Sequence, residues 1–178
     1  MTGVQTCALP ICFNNHFGDT FVLPKAVMPK AGARVMDLQD PTSKMSKSAA
    51  TDAGLISMLD DPALVMKKFK RAVTDSDNEV RFDRAAKPGV SNLLEILAAC
   101  TGGTPEALAA NYAQYGALKV DTGEAVVATL APIQARYNEL MADPGELQAL
   151  LRKGAEKARS VASVVLARAQ TALGLTPA

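Results

Sequence analysis

Lys44-Met45-Ser46-Lys47-Ser48 places two ammonium groups three residues apart and interleaves them with two hydroxyls. In a loop, such groups suit a polyphosphate: the ammonium heads act as point charges, while hydroxyls and backbone N–H groups supply hydrogen bonds. A bare Lys-x-x-Lys spacing is more often an ordinary solvated stretch. All five specified residues together, however, arise by chance in fewer than about one in ten thousand chains of this size. Other chemistry is thin. His16 is the single histidine and has no ligand-type neighbour, and Cys7, Cys12 and Cys100 include no Cys-x-x-Cys pair. That excludes a zinc site or a disulfide framework, leaves no metal ligand set to nominate, and fits a reducing compartment.

The elements that must position this loop read as follows. The chain has 178 residues, with 19 Lys plus Arg against 18 Asp plus Glu. A global cationic field for nucleic acid is therefore excluded, and any such contact needs a local patch. Apolar residues make up 48%, and no run approaches the length of a bilayer span. Between Phe13 and Asp40, Pro24, Pro29, Gly18 and Gly32 punctuate short runs such as Phe21-Val22-Leu23 and Ala33-Arg34-Val35-Met36, which suit strands. Asp40-Pro41-Thr42-Ser43 opens the polar loop, and Thr51-Asp52 offers a helix cap after it.

Beyond the loop, helix signals dominate. Asp61-Pro62 starts a helix with Val65, Phe69 and Val73 on one face and Lys67, Lys68, Lys70 and Arg71 on the exposed ones. A polar connection over residues 74–89 allows a short extended piece at Val80 to Phe82. Asn92-Leu93-Leu94-Glu95 resembles a capping box ahead of Ile96, Leu97 and Cys100, and Thr104-Pro105-Glu106 is a second start. Val126, Leu130, Ile133, Tyr137 and Leu140 draw one stripe along a long helix that Pro132 should kink. Asp143-Pro144-Gly145-Glu146 caps another helix, and Ala158, Val161, Val165, Ala169 and Ala172 make a last apolar face. Cys100 and the tyrosines Tyr112, Tyr115 and Tyr137 read as core or rim residues.

Met1 to Ile11 reads differently. The codons of a common sequencing adapter, taken from a GTG start, decode to this peptide residue for residue, and it lacks the charged start and apolar stretch of a secretory signal. We expect residues 1–12 to be adapter-derived and outside any fold, with Cys7 meaningless and the natural protein continuing upstream of Phe13.

The pentapeptide is the signature loop of class I aminoacyl-tRNA synthetases, and its surroundings resemble bacterial tryptophanyl-tRNA synthetase. The matching blocks are Gly32-Ala33-Arg34-Val35-Met36 with Asp40-Pro41-Thr42, Ala72-Val73-Thr74-Asp75-Ser76, Pro88-Gly89-Val90-Ser91-Asn92-Leu93-Leu94, and Gly154-Ala155-Glu156-Lys157-Ala158. They run from about Phe13 to Leu175, in order, and correspond to the C-terminal half of that family's enzyme. One departure follows the loop, where Ala49-Ala50-Thr51-Asp52 stands in place of an immediate acidic residue.

The resemblance implies a mainly α chain: residues 13–50 as the C-terminal remnant of a Rossmann-like α/β catalytic domain, and 51–178 as an all-helical anticodon-binding domain. It implies ATP-dependent activation of tryptophan and transfer to tRNA(Trp), with Mg²⁺ carried by the nucleotide phosphates, in a cytoplasmic homodimer with no membrane segment. By position it assigns Lys47 and Lys44 as catalytic, and Val35, Lys44, Met45, Ser46, Lys47 and Ser48 as ATP-binding. Lys67, Lys68, Lys70 and Arg71, and separately Arg152, Lys153, Lys157 and Arg159, become candidates for tRNA phosphates, though each cluster alone is also an ordinary solvated face. The family's His-Ile-Gly-His-like motif and its tryptophan pocket lie upstream of these residues, so this chain alone is expected to be inactive. The alternatives are the tyrosyl relative and a non-catalytic helical RNA-binding module.

Overall fold

The computed structural model describes residues 3–29, 32–48 and 51–175. Ala49 and Ala50, where the sequence departs from the family after its loop, lie outside the described residues, as do Met1, Thr2 and the side chain of Cys7. The described chain is mostly helical: α1 Gly3–Phe17, a 3-10 turn Asp52–Gly54, α2 Pro62–Lys70, α3 Pro88–Thr101, α4 Pro105–Ala109, α5 Tyr115–Ala142 and α6 Pro144–Ala172. Three starts follow the expected chemistry. Asp61 Oδ1 accepts from Leu64 N at 2.9 Å, Thr104 Oγ1 from Ala107 N at 3.3 Å, and Asp143 Oδ1 from Glu146 N at 2.9 Å. Each satisfies an N–H that the first turn leaves without a helical partner, and proline follows in each case where no N–H is needed.

Several expectations need correction. Phe21-Val22-Leu23 forms no strand: Val22 is 88% exposed and no neighbouring segment pairs with it among the described residues. Ala33 to Met36 contributes a single antiparallel bridge, Met36 with Lys44, because only the residues just beyond the turn lie beside it. Phe13 to Phe17 is helical, and α1 runs back through the adapter-like peptide, with Leu9 78% exposed. Asn92 and Glu95 do not cap a helix, since α3 begins four residues earlier at Pro88 and buries both. Val73 is exposed because α2 stops at Lys70, three residues short of it. The stripe on α5 is buried only through Leu130, and Ile133 and Tyr137 are exposed.

The chain divides into two compact units. One combines residues 1–27 with 139–178 and holds α1 and α6. Within it, Asn14 ties the end of α1 to the chain beyond: its Oδ1 accepts from Thr20 N and Phe21 N at 3.2 and 2.9 Å, and its Nδ2 donates to Phe21 O at 2.8 Å. Phe13 packs between Phe17 and Phe21, with both ring centroids 4.8 Å away.

The other unit, residues 28–138, has a continuous core of Leu38, Val65, Phe69, Val90, Leu93, Leu94, Leu97, Leu118, Val126 and Leu130. α3 is its axis, buried from Gly89 to Ala98. Leu38 joins three segments through its backbone: its N–H donates to Gly54 O at 3.0 Å and its carbonyl accepts from Val73 N at 2.8 Å. Two glycines permit this closeness. A Cβ on Gly89 would sit 2.2 Å from Val73 O, and one on Gly54 would meet Asp37 Oδ1 at 1.6 Å.

Candidate phosphate-binding loop

The loop Lys44–Ser48 leaves a tight turn that the sequence builds locally. Asp37 N donates to Ser43 O at 2.9 Å and Met45 N to Val35 O at 3.1 Å, so Met36 and Lys44 face each other between them. The carboxylates inside the turn organise it. Asp37 Oδ1 accepts from Gln39 N at 2.7 Å and Asp40 N at 3.1 Å. Asp40 takes Thr42 Oγ1 and Ser43 Oγ, each at 2.6 Å, and Thr42 N at 3.2 Å. Ser43 first, then Thr42, holds the Asp40 carboxyl below its ordinary range.

From this base the assigned residues separate by burial. Val35 and Met45 are half-buried against the core, while Lys44, Ser46, Lys47 and Ser48 are exposed. Ser46 Oγ accepts from Ser48 N at 3.2 Å, a local turn that bends the loop's end. Neither Lys44 nor Lys47 has a side-chain hydrogen-bond or ion-pair partner among the described residues. The structure thus brings Val35, Lys44 and Met45 together directly, and joins Ser46, Lys47 and Ser48 to them through the chain. An apolar foot with two unpaired cations beyond it is suited to take an anionic ligand from solvent.

The basic cluster on α2 is less uniform than its sequence suggests. Lys67, Lys70 and Arg71 are exposed, but Lys68 is buried, donating from Nζ to Asp60 Oδ2 at 2.6 Å and to Leu55 O at 2.7 Å. It lies three residues after Val65 and beside Phe69, on the face of α2 that is buried, and Asp60 neutralises it. Lys67, Lys68 and Arg71, with Gln39, Asp52 and Asp60, border an open cavity of about 610 Å³. On α6, Arg152, Lys153, Lys157 and Arg159 are all exposed.

Two constellations escaped the sequence reading. Lys87, 1% exposed, donates to Asp75 Oδ1 at 3.0 Å, Asp77 Oδ2 at 3.1 Å and Tyr115 OH at 3.1 Å. Tyr115 OH also bonds Asp75 Oδ1. Burial opposes charge on both partners, yet the Tyr115 and Lys87 bonds prevail and take Asp75 down to about 2, while Lys87 is raised by Asp75, Tyr115 and Asp77. The second is Asn92, 3% exposed, whose Oδ1 accepts from Met36 N and whose Nδ2 donates to Met36 O, both at 2.9 Å. A buried amide flanked by Val90, Leu93 and Leu94 is the one signal that would have found it. Of the remaining candidates, Tyr115 is buried, Tyr112 and Cys100 are half-buried, Tyr137 and His16 are exposed, and no helix among the described residues is long and apolar enough to cross a membrane.

Comparison with known proteins shows the family. Residues 10–137 match the family of class I tRNA synthetases (W and Y). Tryptophan–tRNA ligase 1 of Streptomyces avermitilis is 54% identical over 96% of this chain and 51% of its own length, and tryptophan–tRNA ligase of Mycobacterium leprae is 53% identical over 93% and 49%. The crystal structure of tryptophanyl-tRNA synthetase from Mycoplasma pneumoniae superposes with a TM-score of 0.86 at 32% identity, covering 97% of this chain and 52% of that one. The Campylobacter jejuni enzyme complexed with ADP and tryptophan gives a TM-score of 0.58 at 27% identity, over 95% and 52%. The chain spans about half the length of the curated relatives it matches.

Proposed function

The chain belongs to the class I tRNA synthetases of the tryptophan and tyrosine type, and from that premise we propose that it is part of a tryptophan–tRNA ligase whose Lys44–Ser48 loop holds the phosphates of ATP. Residues 13–50 are the end of its nucleotide-binding catalytic domain and 51–178 its helical anticodon-binding domain, with residues 1–12 adapter-derived. The tryptophan carboxylate attacks the α-phosphorus, the bond from that phosphorus to the bridging oxygen breaks, and pyrophosphate leaves with the bonding pair. Negative charge grows on the departing oxygens, so a fixed cation there stabilises the transition state more than the ground state. Lys47 fills that role, Lys44 helps to hold the phosphates, Met45, Ser46 and Ser48 shape the loop, and Val35 meets the nucleotide from the segment beside it. Mg²⁺ enters as part of the nucleotide substrate, since the loop offers cations and hydroxyls, which suit phosphate oxygens and not a metal.

The aminoacyl group then passes to the 3′-terminal ribose of tRNA(Trp), with Lys67, Lys70, Arg71 and the α6 cations Arg152, Lys153, Lys157 and Arg159 available to its phosphates. Lys68, held by Asp60, drops out of that set. The working enzyme is a cytoplasmic homodimer, and the 178-residue chain does not activate tryptophan alone because the amino-acid pocket lies outside it. The observation that carries the reading is the turn-anchored loop with neither lysine paired among the described residues, in a sequence about half identical to tryptophan–tRNA ligases. Tryptophan-dependent ATP–pyrophosphate exchange tests it, in the whole protein bearing this sequence and in the 178-residue chain. Exchange in the first and none in the second is expected. Exchange driven by tyrosine instead, or none in the whole protein, overturns the assignment in favour of the tyrosyl relative or of an RNA-binding module.

A further inference from the structure

We propose that Asn92 is a positioning residue for the phosphate loop, acting through the backbone of Met36; the proposal rests on the function proposed above. Met36 and Lys44 are the facing pair of the turn, closed by hydrogen bonds from the residues on either side, Asp37 N to Ser43 O and Met45 N to Val35 O. In that antiparallel geometry the N–H and C=O of Met36 itself point outward, to where the next strand of a sheet would lie. No strand among the described residues is there. Asn92 takes that place: its carboxamide offers one acceptor and one donor in a single plane, and both reach Met36 at 2.9 Å.

The amide is held by the most rigid part of the unit. Asn92 is 3% exposed on α3, and its neighbours Val90, Leu93 and Leu94 are fully buried. An apolar residue would pack there equally well but would strand the Met36 N–H and C=O, while a carboxamide at this depth is tolerated because both of its ends are satisfied. The result is a continuous mechanical line: core, α3, the Asn92 carboxamide, Met36, and across the bridge Lys44 with Met45 beside it. Loss of this link leaves the loop's first lysine held by its own turn and by the packing of Val35 and Met45 alone, and misplacement by about 1 Å costs on the order of 10²-fold in rate.

Asn92→Ala, Lys47→Ala and the double variant, made in the whole protein, test the link by pyrophosphate exchange. Asn92→Ala is expected to lower kcat by about 10²-fold with the KM for tryptophan little changed. The double variant should be scarcely slower than Lys47→Ala, because a misplaced loop without its lysine has little left to lose. Losses that multiply, or a KM for tryptophan that moves with kcat, overturn the proposal while leaving the synthetase reading intact. An inactive parent protein sinks both. Asn92→Leu, which keeps the size but offers neither acceptor nor donor, guards against misfolding of the alanine variant. In the 178-residue chain, amide exchange at Met36 and Met45 should quicken about tenfold or more in Asn92→Leu, which strands the Met36 N–H, with Leu118 and Val126 unchanged. Uniform quickening, or none, counts against the link.

Discussion

Gly89→Ala isolates how tightly residues 73 and 74 lie on α3. The new Cβ would stand 2.2 Å from Val73 O, 3.2 Å from Val73 C and 3.4 Å from Thr74 Cα, so it meets backbone, which cannot rotate away as a side chain would. Relieving the contact requires a shift of about 1 Å, and such overpacking costs about 3 kcal/mol, the upper end of the usual range. The same shift stretches Val73 N to Leu38 O, 2.8 Å, and Lys87 Nζ to Asp75 Oδ1, 3.0 Å. Weakening the two together adds about 2 kcal/mol. Against this, alanine in a helix gains about 1 kcal/mol over glycine, leaving a net loss of about 4 kcal/mol. For a chain of this length that lowers Tm by about 8–16 °C. Thermal and urea unfolding followed by circular dichroism measure it, with Gly154→Ala as the control. Gly154 also lies inside a helix but has nothing within 4 Å of its would-be Cβ, so the control should gain up to about 1 kcal/mol. If the two variants shift in the same direction by similar amounts, the close approach is not what glycine serves.

Lys47→Ala in the whole protein should cut tryptophan activation by on the order of 10²–10³-fold or more, while Tm stays put, because this side chain is exposed and has no hydrogen-bond or ion-pair partner among the described residues; an equal loss of tryptophan binding would contradict the role, as binding titration can show. Lys68→Met should destabilise by about 3 kcal/mol, since it leaves Asp60 near the interior without its cation, whereas Lys67→Met and Lys70→Met should fall within about 0.5 kcal/mol in the same urea titration. With its folded pKa near 2, below the ordinary 3.8, Asp75 contributes stability that is fully present above about pH 4 and lost as pH falls towards 2. Unfolding midpoints across that interval should decline, and Asp75→Asn should flatten the decline. Lys87, shifted upward, keeps its contribution below about pH 10.5 and loses it only at higher pH.

What the residues disclosed in advance was chemistry that stays local. Asp61, Thr104 and Asp143 cap helices because the acceptor and the N–H it satisfies lie three residues apart. The Lys44–Ser48 loop and its Asp40 turn were legible for the same reason. Asn92 was misread because Asn-x-x-Glu at a helix start and Asn-x-x-Glu inside a buried helix are the same string; only Met36, 56 residues away, separates them. Lys68 differs from the face the sequence suggests because four basic residues within five positions look alike until Asp60 and the spacing from Val65 single one out. Val22 and Leu23 have strand-like types, but a strand needs a neighbour to share its hydrogen bonds, and the described residues supply none.

The distance between Met36 and Asn92 also sets a schedule for the growing polypeptide. At about 5–20 residues per second, a ribosome that has just joined Met36 needs roughly 3–11 s to reach Asn92, and longer before α3 is clear of the exit tunnel. Throughout that interval the lysine loop can bend at its own turn but lacks the Asn92 carboxamide and the α3 core behind it. Its final posture is therefore fixed by the later arrival of a helix, and a nascent chain stalled before α3 would carry the whole signature pentapeptide without its support.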